Sequence, residues 1–390
     1  MSEYIQNKKR TRYDTNGVIP DRIMARIVSI DSIEPIESAT SIELCHVMGW
    51  QCVVKKDEFK VGEMCIYVCI DSILDPSNEN FSFLEGKPLK TKMILKTLSQ
   101  GLVGPLRWIT DIEKGFDLQT LKIDDDVTGL LKVKKYVEST ELNEYIDNKD
   151  GKEAVRFPSF VPKTDEERIQ NLKNIFTNIM GKNIVITRKE DGTSTTFIYF
   201  SKSTHEKAAE IVSDEKVSET VSETVSDEKV YMMCGRNWQI NESLSAQNQN
   251  KHYFEIQKKF DIKNKMQTLN RNIAIQGEIV GPKIGGNKLQ LNELDYRVFN
   301  IFDIDNRHYL PWDQVIEITD TLGLNRVPLI YKGICDERFG DAKSLMKLAE
   351  SLEYAPNQSA EGIVVKTDYG IDHPRFSFKV ISNKFLLKSK

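Results

Sequence analysis

Lys189-Glu190-Asp191-Gly192 is the group in this sequence best equipped for covalent chemistry. On an extended backbone, residues two apart share a face, so Lys189 and Asp191 would point the same way, and Gly192 would permit a turn or a close ligand approach. A lysine attacks an electrophile only as the neutral amine. From an unperturbed pKa of about 10.4, that form costs roughly 4.6 kcal/mol at pH 7. A nucleophilic Lys189 would therefore need neighbouring cations or a bound metal to bring its pKa down. Taken alone, the tetrapeptide equally describes an ordinary strand-end turn.

Further groups follow along the chain. Gln276-Gly277-Glu278-Ile279-Val280 sets a carboxylate, Glu278, in an apolar strand. Phe299-Asn300-Ile301-Phe302-Asp303-Ile304 is rich in aromatics, which serve as core or, beside a cleft, as a stacking face for a base. Glu361-Gly362-Ile363-Val364-Val365-Lys366 opens and closes on charge. The odd spacing would turn Glu361 and Lys366 to opposite faces of a regular strand, so a shared site requires Glu361 just ahead of the strand, or a bulge. In Phe376-Ser377-Phe378-Lys379-Val380-Ile381, Lys379 lies on the face opposite Phe376, Phe378 and Val380. That is either a cation projecting into a site or a plain exposed lysine.

These side chains need strands to hold them. Residues 184–187 and 195–200 read as strands flanking the Lys189 motif, and 230–233, 273–280, 296–304, 362–366 and 376–381 read likewise. Residues 313–322 and 341–352 read as helices, and Thr164 or Asp165 is expected to cap a helix carrying Ile169, Leu172, Ile175, Phe176 and Ile179. Together they predict an α+β domain around twisted antiparallel sheets. Residues 201–229 repeat Ser-Asp-Glu-Lys-Val and Val-Ser-Glu-Thr, and are expected to be an insertion between two strands, either a solvated helix or unstructured, with no chemistry of its own. Nearer the N-terminus, 23–30, 42–47, 50–55 and 64–70 are short strands separated by turn signals, a spacing that suggests a small barrel. Residues 95–108 continue this pattern across a break at Ser99-Gln100-Gly101, and the polar stretch 138–153 reads as a linker.

With 390 residues there is room for two or three domains, and 39% hydrophobic with 29% charged residues fits a soluble globular chain. No apolar run approaches the ~18 to 20 residues of a membrane span. The first twelve residues, with Lys8, Lys9, Arg10 and Arg12, read as a disordered basic arm rather than a secretory signal. The formal charge of −4 neither supports nor excludes a nucleic-acid partner, because a local basic groove is what binds phosphate. The six cysteines form no C-x-x-C pair and no zinc spacing, so free thiols in a reducing compartment are expected, with Cys65 and Cys69 in the core.

Read in order, Lys189-Glu190-Asp191-Gly192, Cys234-Gly235-Arg236-Asn237, Gly277-Glu278, Phe302-Asp303-Ile304, Glu361-Gly362-Ile363-Val364-Val365-Lys366 and Phe378-Lys379 resemble the ordered motifs of the covalent nucleotidyltransferases. That superfamily holds ATP-dependent ligases and mRNA capping enzymes. The likeness covers residue 157 to the C-terminus. A closer resemblance is to ATP-dependent RNA ligases with an N-terminal OB-fold domain, the Deinococcus and Naegleria type. Gly49-Trp50, Asp71-Ser72, Ser99-Gln100-Gly101-Leu102, Phe157-Pro158 and Lys163-Thr164-Asp165-Glu166 extend it over nearly the whole chain.

The resemblance implies an OB-fold β-barrel over residues 1–145 and a nucleotidyltransferase domain of antiparallel sheets with flanking helices over 146–390, interrupted at about 201–229. It implies that Lys189 takes AMP from ATP, that Glu278 binds the ribose hydroxyls and that Phe302 stacks on adenine. Asp191 and Glu361 would hold Mg²⁺ or Mn²⁺, directly or through water. Lys366 and Lys379 would contact phosphates, and Arg236 the nucleotide or the RNA end. Arg168 would serve the nucleotide or end-joining steps. The implied reaction runs through a lysyl-adenylate and an adenylylated 5′-phosphate to a sealed 3′-hydroxyl/5′-phosphate junction, with a nick in duplex RNA as the expected substrate, RNA repair as the setting, and a monomer acting inside the cell, in cytoplasm or nucleus. The barrel would grip duplex backbone through Lys87, Lys90, Lys92, Lys96 and Arg107.

One departure concerns the last motif, where relatives carry two basic residues spaced two apart. Here Lys379 has Ser377 and Ile381 at that spacing, leaving Arg375 or Lys384 as the second cation, or none. A GTP-dependent capping enzyme would use the same lysine chemistry, but its OB domain follows the catalytic domain, and this sequence ends eleven residues past Lys379. A non-catalytic RNA-binding protein is the other alternative, against which the intact Lys189, Glu278 and Glu361 argue.

Overall fold

A computed structural model describes residues 23–136, 155–172, 174–202, 228–240, 250–369 and 375–388. The expected basic arm, the 138–153 linker and the interior of the insertion lie outside the described residues. These residues divide into two compact units, 23–136 with 386–388, and 155–385, each considered by itself.

In the first unit, short runs of β-branched and aromatic residues become short strands. They are β1 (Ala25–Ser29), β2 (Ser32–Pro35), β3 (Ile42–Val47), β4 (Trp50–Lys55), β5 (Met64–Val68), β6 (Ser72–Ile73), β7 (Lys92–Ile94), β8 (Thr97–Ser99), β9 (Leu102–Gly104) and β10 (Lys134–Lys135). Antiparallel pairing gives small sheets in the orders β1-β5-β9 and β2-β3-β4, with the ribbons β7-β8 and β10-β6. Trp50 is fully buried and stacks on Tyr67 at 5.7 Å, and the Tyr67 hydroxyl donates to the Gln100 carbonyl at 2.9 Å. Gly101 has φ 118°, and a Cβ there would lie 2.7 Å from the Tyr67 ring. The break at Ser99-Gln100-Gly101 is thus a close approach of backbone to the core aromatic. All six cysteines are free and buried, Cys65 and Cys69 among them. Lys87, Lys90, Lys92, Lys96 and Arg107 are all exposed.

The second unit is built on two sheets. Its strands are β11 (Glu167–Arg168), β12 (Asn183–Lys189), β13 (Thr193–Ser201), β14 (Lys229–Cys234), β15 (Ile273–Val280), β16 (Asp295–Asp303), β17 (His308–Tyr309), β18 (Asn325–Arg326), β19 (Leu329–Ile334), β20 (Glu353–Ala355), β21 (Gln358–Ser359), β22 (Gly362–Thr367) and β23 (Ser377–Ile381). One sheet runs β11-β23-β22-β12-β19. The other runs β14-β13-β15-β16-β17, with β18 beside β16. Pairing is antiparallel except for β11 with β23 and β16 with β18. The 201–229 stretch separates β13 from β14, between two strands as expected.

The two sheets are continuous at the Lys189 motif: β12 ends on Lys189, and after Glu190, Asp191 and Gly192 the chain enters β13 of the other sheet. Ile184, Ile186, Ile363, Val365, Phe378 and Val380 pack on one side of the first sheet against the helix Ala342–Ser351. Alternation turns Thr187, Lys189, Lys366, Ser377 and Lys379 to the opposite side. In the second sheet, Ile273, Ile275 and Ile279 face the helices Lys251–Phe260, Ile262–Leu269 and Trp312–Leu322, while Ala274, Gln276 and Glu278 face away. No helix among the described residues is long and apolar enough to cross a membrane.

The helix expected after Thr164 is not continuous. The chain forms β11 and then a 3-10 turn, Ile169–Asn171. Asn174, at φ 58°, precedes a short helix, Ile175–Ile179. Thr164 and Asp165 cap nothing there. Thr164 shares a hydrogen bond with Ser194 at 2.9 Å, and Asp165 accepts from Lys379 at 3.0 Å. Parallel pairing to β23 and the buried Ile169 override the helical periodicity.

Gly362 has φ 151°, and a Cβ there would lie 2.0 Å from the Val380 carbonyl oxygen. This residue starts β22 and leaves Glu361 just ahead of the strand, the arrangement the odd spacing to Lys366 requires. We expect Gly362→Ala to destabilise the protein by about 2–4 kcal/mol. Thermal unfolding followed by circular dichroism checks this; an unchanged midpoint would contradict the close approach.

Candidate active site

Lys189 closes β12 with its side chain a quarter exposed, and its Nζ donates to Glu361 Oε2 at 2.7 Å. Burial favours the neutral amine, but Glu361 and Glu278 outweigh it, and the pKa stands above the usual lysine value despite Arg236. Cations do lie nearby, but the two glutamates outweigh them. Without ligand, carboxylates surround Lys189 and keep it an ammonium. Its carbonyl oxygen accepts from the Tyr354 hydroxyl at 2.6 Å, so the β20–β21 hairpin steadies the end of the strand.

The neighbours of Lys189 are fixed by ion pairs. Glu190 is buried and accepts from Arg188 at 2.9 Å and from Arg297 of β16 at 3.2 Å. Asp191 pairs with Lys288 at 2.6 Å, and Lys288 also lies 4.2 Å from the centroid of the Phe385 ring. Gly192 serves close approach, since a Cβ there would sit 2.3 Å from the Ile279 carbonyl oxygen and 2.8 Å from the Glu278 side chain. The missing side chain lets the turn seat against β15, where Glu278 pairs with Ser194 on one side and Arg297 on the other. Burial, reinforced by Glu361 and Asp191, pushes the Glu278 carboxyl up to about 7 against the pull of Lys189 and Arg236.

Lys379 donates to Asp165 Oδ1 at 3.0 Å, and Arg236 Nη2 lies 3.7 Å from the same oxygen. Burial lowers the Lys379 pKa, and the positive charges of Lys189 and Arg168 lower it further, against Asp165. Arg168 pairs in register with Lys379, one strand over. Thus Lys189, Glu361, Glu278, Arg236, Lys379, Arg168 and Asp191 form one charged neighbourhood.

Lys366 lies apart from it. Its register partner is Val185, four residues before Lys189 and so roughly 13 Å along the strand. It is 6% exposed and donates to the Phe299 carbonyl at 2.6 Å and to Asn300 Oδ1 at 2.9 Å. Burial, with Arg375 nearby, brings it down to about 7 against Glu166 and Asp368. Arg375 also reaches Asn300 Oδ1, at 3.1 Å, and stacks over Tyr309 at 3.8 Å, whereas Lys384 donates to the Glu350 carbonyl. Of the two candidates for a second cation, Arg375 is the one beside Lys366. Phe302 is 4% exposed, packed with Phe157, Ile198 and Phe200 and edge-on to Tyr309 at 5.2 Å.

Among the described residues, no three His, Cys, Asp or Glu side chains converge on one metal position. What is present is a set of three carboxylates, Glu361, Glu278 and Asp191, with Glu278 pushed up to about 7. All-oxygen donors in small number suit Mg²⁺ or Mn²⁺, which keep water and phosphate ligands rather than a full protein cage.

A family model described as RNA ligase matches residues 182–381, and an OB-fold domain model matches residues 24–106. The chain belongs to the RNA ligase family. It is similar to a lysine-to-alanine variant of Naegleria gruberi RNA ligase solved with ATP and Mn. The two are 30% identical, with a TM-score of 0.72 over 94% of this chain and 98% of that one. A glutamate-to-alanine variant of the same Naegleria gruberi enzyme with AMP and Mn gives 30% identity and a TM-score of 0.72 over 94% and 99%. The Naegleria gruberi enzyme with PPi gives 30% and 0.70 over 94% and 98%. No curated protein matches this chain. Sequence reasoning missed Asp165, Lys288, Tyr354 and the Arg188–Glu190–Arg297 group as parts of the site. Charges flanking the Lys189 motif were visible for the last group, and Asp165 reads as a helix cap, but Lys288 and Tyr354 are brought in from distant positions without a local signal.

The pKa of Glu278 carries a stability consequence. Its folded value, about 7, lies above the ordinary 4.5, so the folded state disfavours the carboxylate. Stability is unaffected below about pH 4.5, falls as pH rises towards 7, and stays lowered above it. In EDTA, Glu278→Gln is expected to stabilise the protein by about 2–3 kcal/mol at pH 8 and to give no gain at pH 4. Thermal melts across pH check this; a gain of equal size at both ends would rule out the titration of Glu278 as its source.

Proposed function

We propose that this chain seals RNA by ATP-dependent ligation, with Lys189 as the nucleophile that becomes covalently adenylylated. The observation that carries the reading is the setting of Lys189: at the junction of two sheets, 2.7 Å from Glu361, with Glu278, Arg236 and Lys379 around it. The Naegleria gruberi structures with ATP, AMP, Mn and PPi support the same nucleotide and a divalent metal here. The matched models support an OB-fold domain within residues 1–145 and a nucleotidyltransferase domain over 146–390.

In the first step the Lys189 Nζ lone pair attacks the α-phosphorus of ATP. A nitrogen–phosphorus bond forms, the bond to the bridging oxygen breaks, and pyrophosphate leaves with its electron pair. Before attack the ammonium must lose a proton, and the hydrogen bond to Glu361 Oε2 offers that carboxylate as first acceptor. Lys379 and Arg236 stabilise charge gathering on the phosphate oxygens. Glu278 accepts hydrogen bonds from ribose hydroxyls; the stacking role the resemblance implies for Phe302 is not carried over, because that ring is 4% exposed among Phe157, Ile198 and Phe200. Mg²⁺ or Mn²⁺, held by Glu361 and Asp191 directly or through water, would neutralise phosphate charge and favour the free amine.

AMP then passes to the 5′-phosphate of an RNA end, breaking the nitrogen–phosphorus bond and forming a pyrophosphate linkage. Attack by the 3′-hydroxyl forms the phosphodiester and expels AMP. Arg168 and Arg236 are assigned to the nucleotide or end-joining steps and Lys366 to phosphate, with Arg375 as its companion cation. The exposed Lys87, Lys90, Lys92, Lys96 and Arg107 suit non-specific grip on the backbone of a nicked duplex.

The test is incubation with ATP radiolabelled at the α-phosphate and Mg²⁺ or Mn²⁺, followed by a denaturing gel. Label on the protein, absent from Lys189→Ala, is expected. Label from GTP alone would turn the reading to capping. No label from either nucleotide, on folded protein free of AMP, would turn it to RNA binding without catalysis.

A further inference from the structure

The cations assigned to nucleotide phosphate already have an anion between them. Lys379 Nζ lies 3.0 Å and Arg236 Nη2 3.7 Å from one oxygen of Asp165. Asp165 sits in a short segment tied to both sheets. On its N-terminal side the Pro162 carbonyl accepts from Gln276 Nε2 at 2.8 Å, and the Thr164 hydroxyl meets that of Ser194 at 2.9 Å. On its C-terminal side β11 pairs with β23, setting Glu167 beside Phe378 and Arg168 beside Lys379. The backbone of this segment is therefore held on both sides of Asp165.

The pair is asymmetric in exposure. The Lys379 side chain is 19% exposed, and that of Asp165 40%. Water can take up the carboxylate more readily than the ammonium, so a stronger anion can displace Asp165 without moving Lys379. A phosphate, with more charge and more acceptor oxygens than a carboxylate, is such an anion. Glu166 continues the pattern, 3.6 Å from Arg375.

We infer that Asp165 is a built-in stand-in for the nucleotide phosphate, holding Lys379 and Arg236 in place until ATP displaces it. The inference rests on the phosphate role proposed for Lys379. The carboxylate keeps neighbouring positive charges from repelling one another in the empty site, and it sets a threshold that an incoming nucleotide must exceed. Asp165 is thus a positioning residue that weakens ground-state nucleotide binding.

Equilibrium binding of ATP with Mg²⁺, measured by calorimetry on Lys189→Met protein so that no adenylate forms, tests this. Asp165→Asn is expected to tighten ATP binding about fivefold, the order of one partly exposed ion pair. Lys379→Ala is expected to weaken binding, and adding Asp165→Asn to it should give back little of the gain, because the partner is gone. Asp165→Ser serves as a second variant without an amide oxygen for Lys379, and thermal melts confirm that each variant is folded. If both Asp165 variants bind ATP no more tightly than the parent while Lys379→Ala binds weakly, Asp165 stays on Lys379 in the complex and the inference is overturned. If Lys379→Ala binds ATP unchanged, the phosphate role of Lys379 fails instead, and the inference with it.

Discussion

The pairing of Lys189 with Glu361 and Glu278 is the constraint on which the rest of the site depends. A lysine in a partly buried cleft would ordinarily drift towards its neutral form. Glu361, at 2.7 Å, and Glu278 reverse that drift and hold Lys189 charged. An ammonium has no lone pair to offer, so Lys189 must lose a proton before it can attack. Positive charge arriving on those carboxylates would favour the free amine. The resting ion pair and the need for a divalent cation are therefore two sides of one electrostatic balance.

That balance is possible because one turn belongs to two sheets. Lys189 ends β12 of the first sheet, and within four residues the chain is in β13 of the second, beside Glu278 on β15. Glu361 arrives from the start of β22, paired with the end of β12. Two glycines make this geometry possible. Gly192 lets the turn lie against the backbone of β15, and Gly362 lets β22 begin hard against β23. Neither position has room for a methyl group, so the spacing of the charged groups is set by backbone contact rather than by side-chain packing.

Much of this was legible in the sequence, and the reason is periodicity. Strands such as β15, β16, β22 and β23 carry apolar residues on alternate positions, so the charged residue left on the other face stood out as Glu278 or Lys379 does. The odd spacing of Glu361 and Lys366 was resolved as it had to be, with Glu361 ahead of the strand. The stretch after Thr164 was misread as a helix because Ile169, Leu172, Ile175, Phe176 and Ile179 have helical spacing. Parallel pairing with β23, a contact over two hundred residues distant, decided otherwise. Lys288 and Tyr354 were invisible because each reaches the site through tertiary placement alone, and Asp165, though part of the Lys163-Thr164-Asp165-Glu166 motif, was read as a helix cap rather than as the partner of Lys379.

The charged groups fall into two sets along the strands. Near Lys189 lie Lys379 and Arg236, paired to Asp165; roughly 13 Å along the strand lie Lys366 and Arg375, joined through Asn300. Ser377, one of the two positions spaced two residues from Lys379, is the register partner of Lys366. A lysine at Ser377 would place a third cation beside Lys366 and Arg375, with Glu166 and Asp368 as the acids acting there. Lys366 is already lowered to about 7 by burial and by Arg375, and a further positive charge would push it towards its neutral form. Arg375 reaches the same neighbourhood from just outside the strand, where stacking on Tyr309 and its contact with Glu166 compensate its charge. On this argument a cation at position 377 is disfavoured here, and Arg375 supplies positive charge beside Lys366 from outside the strand.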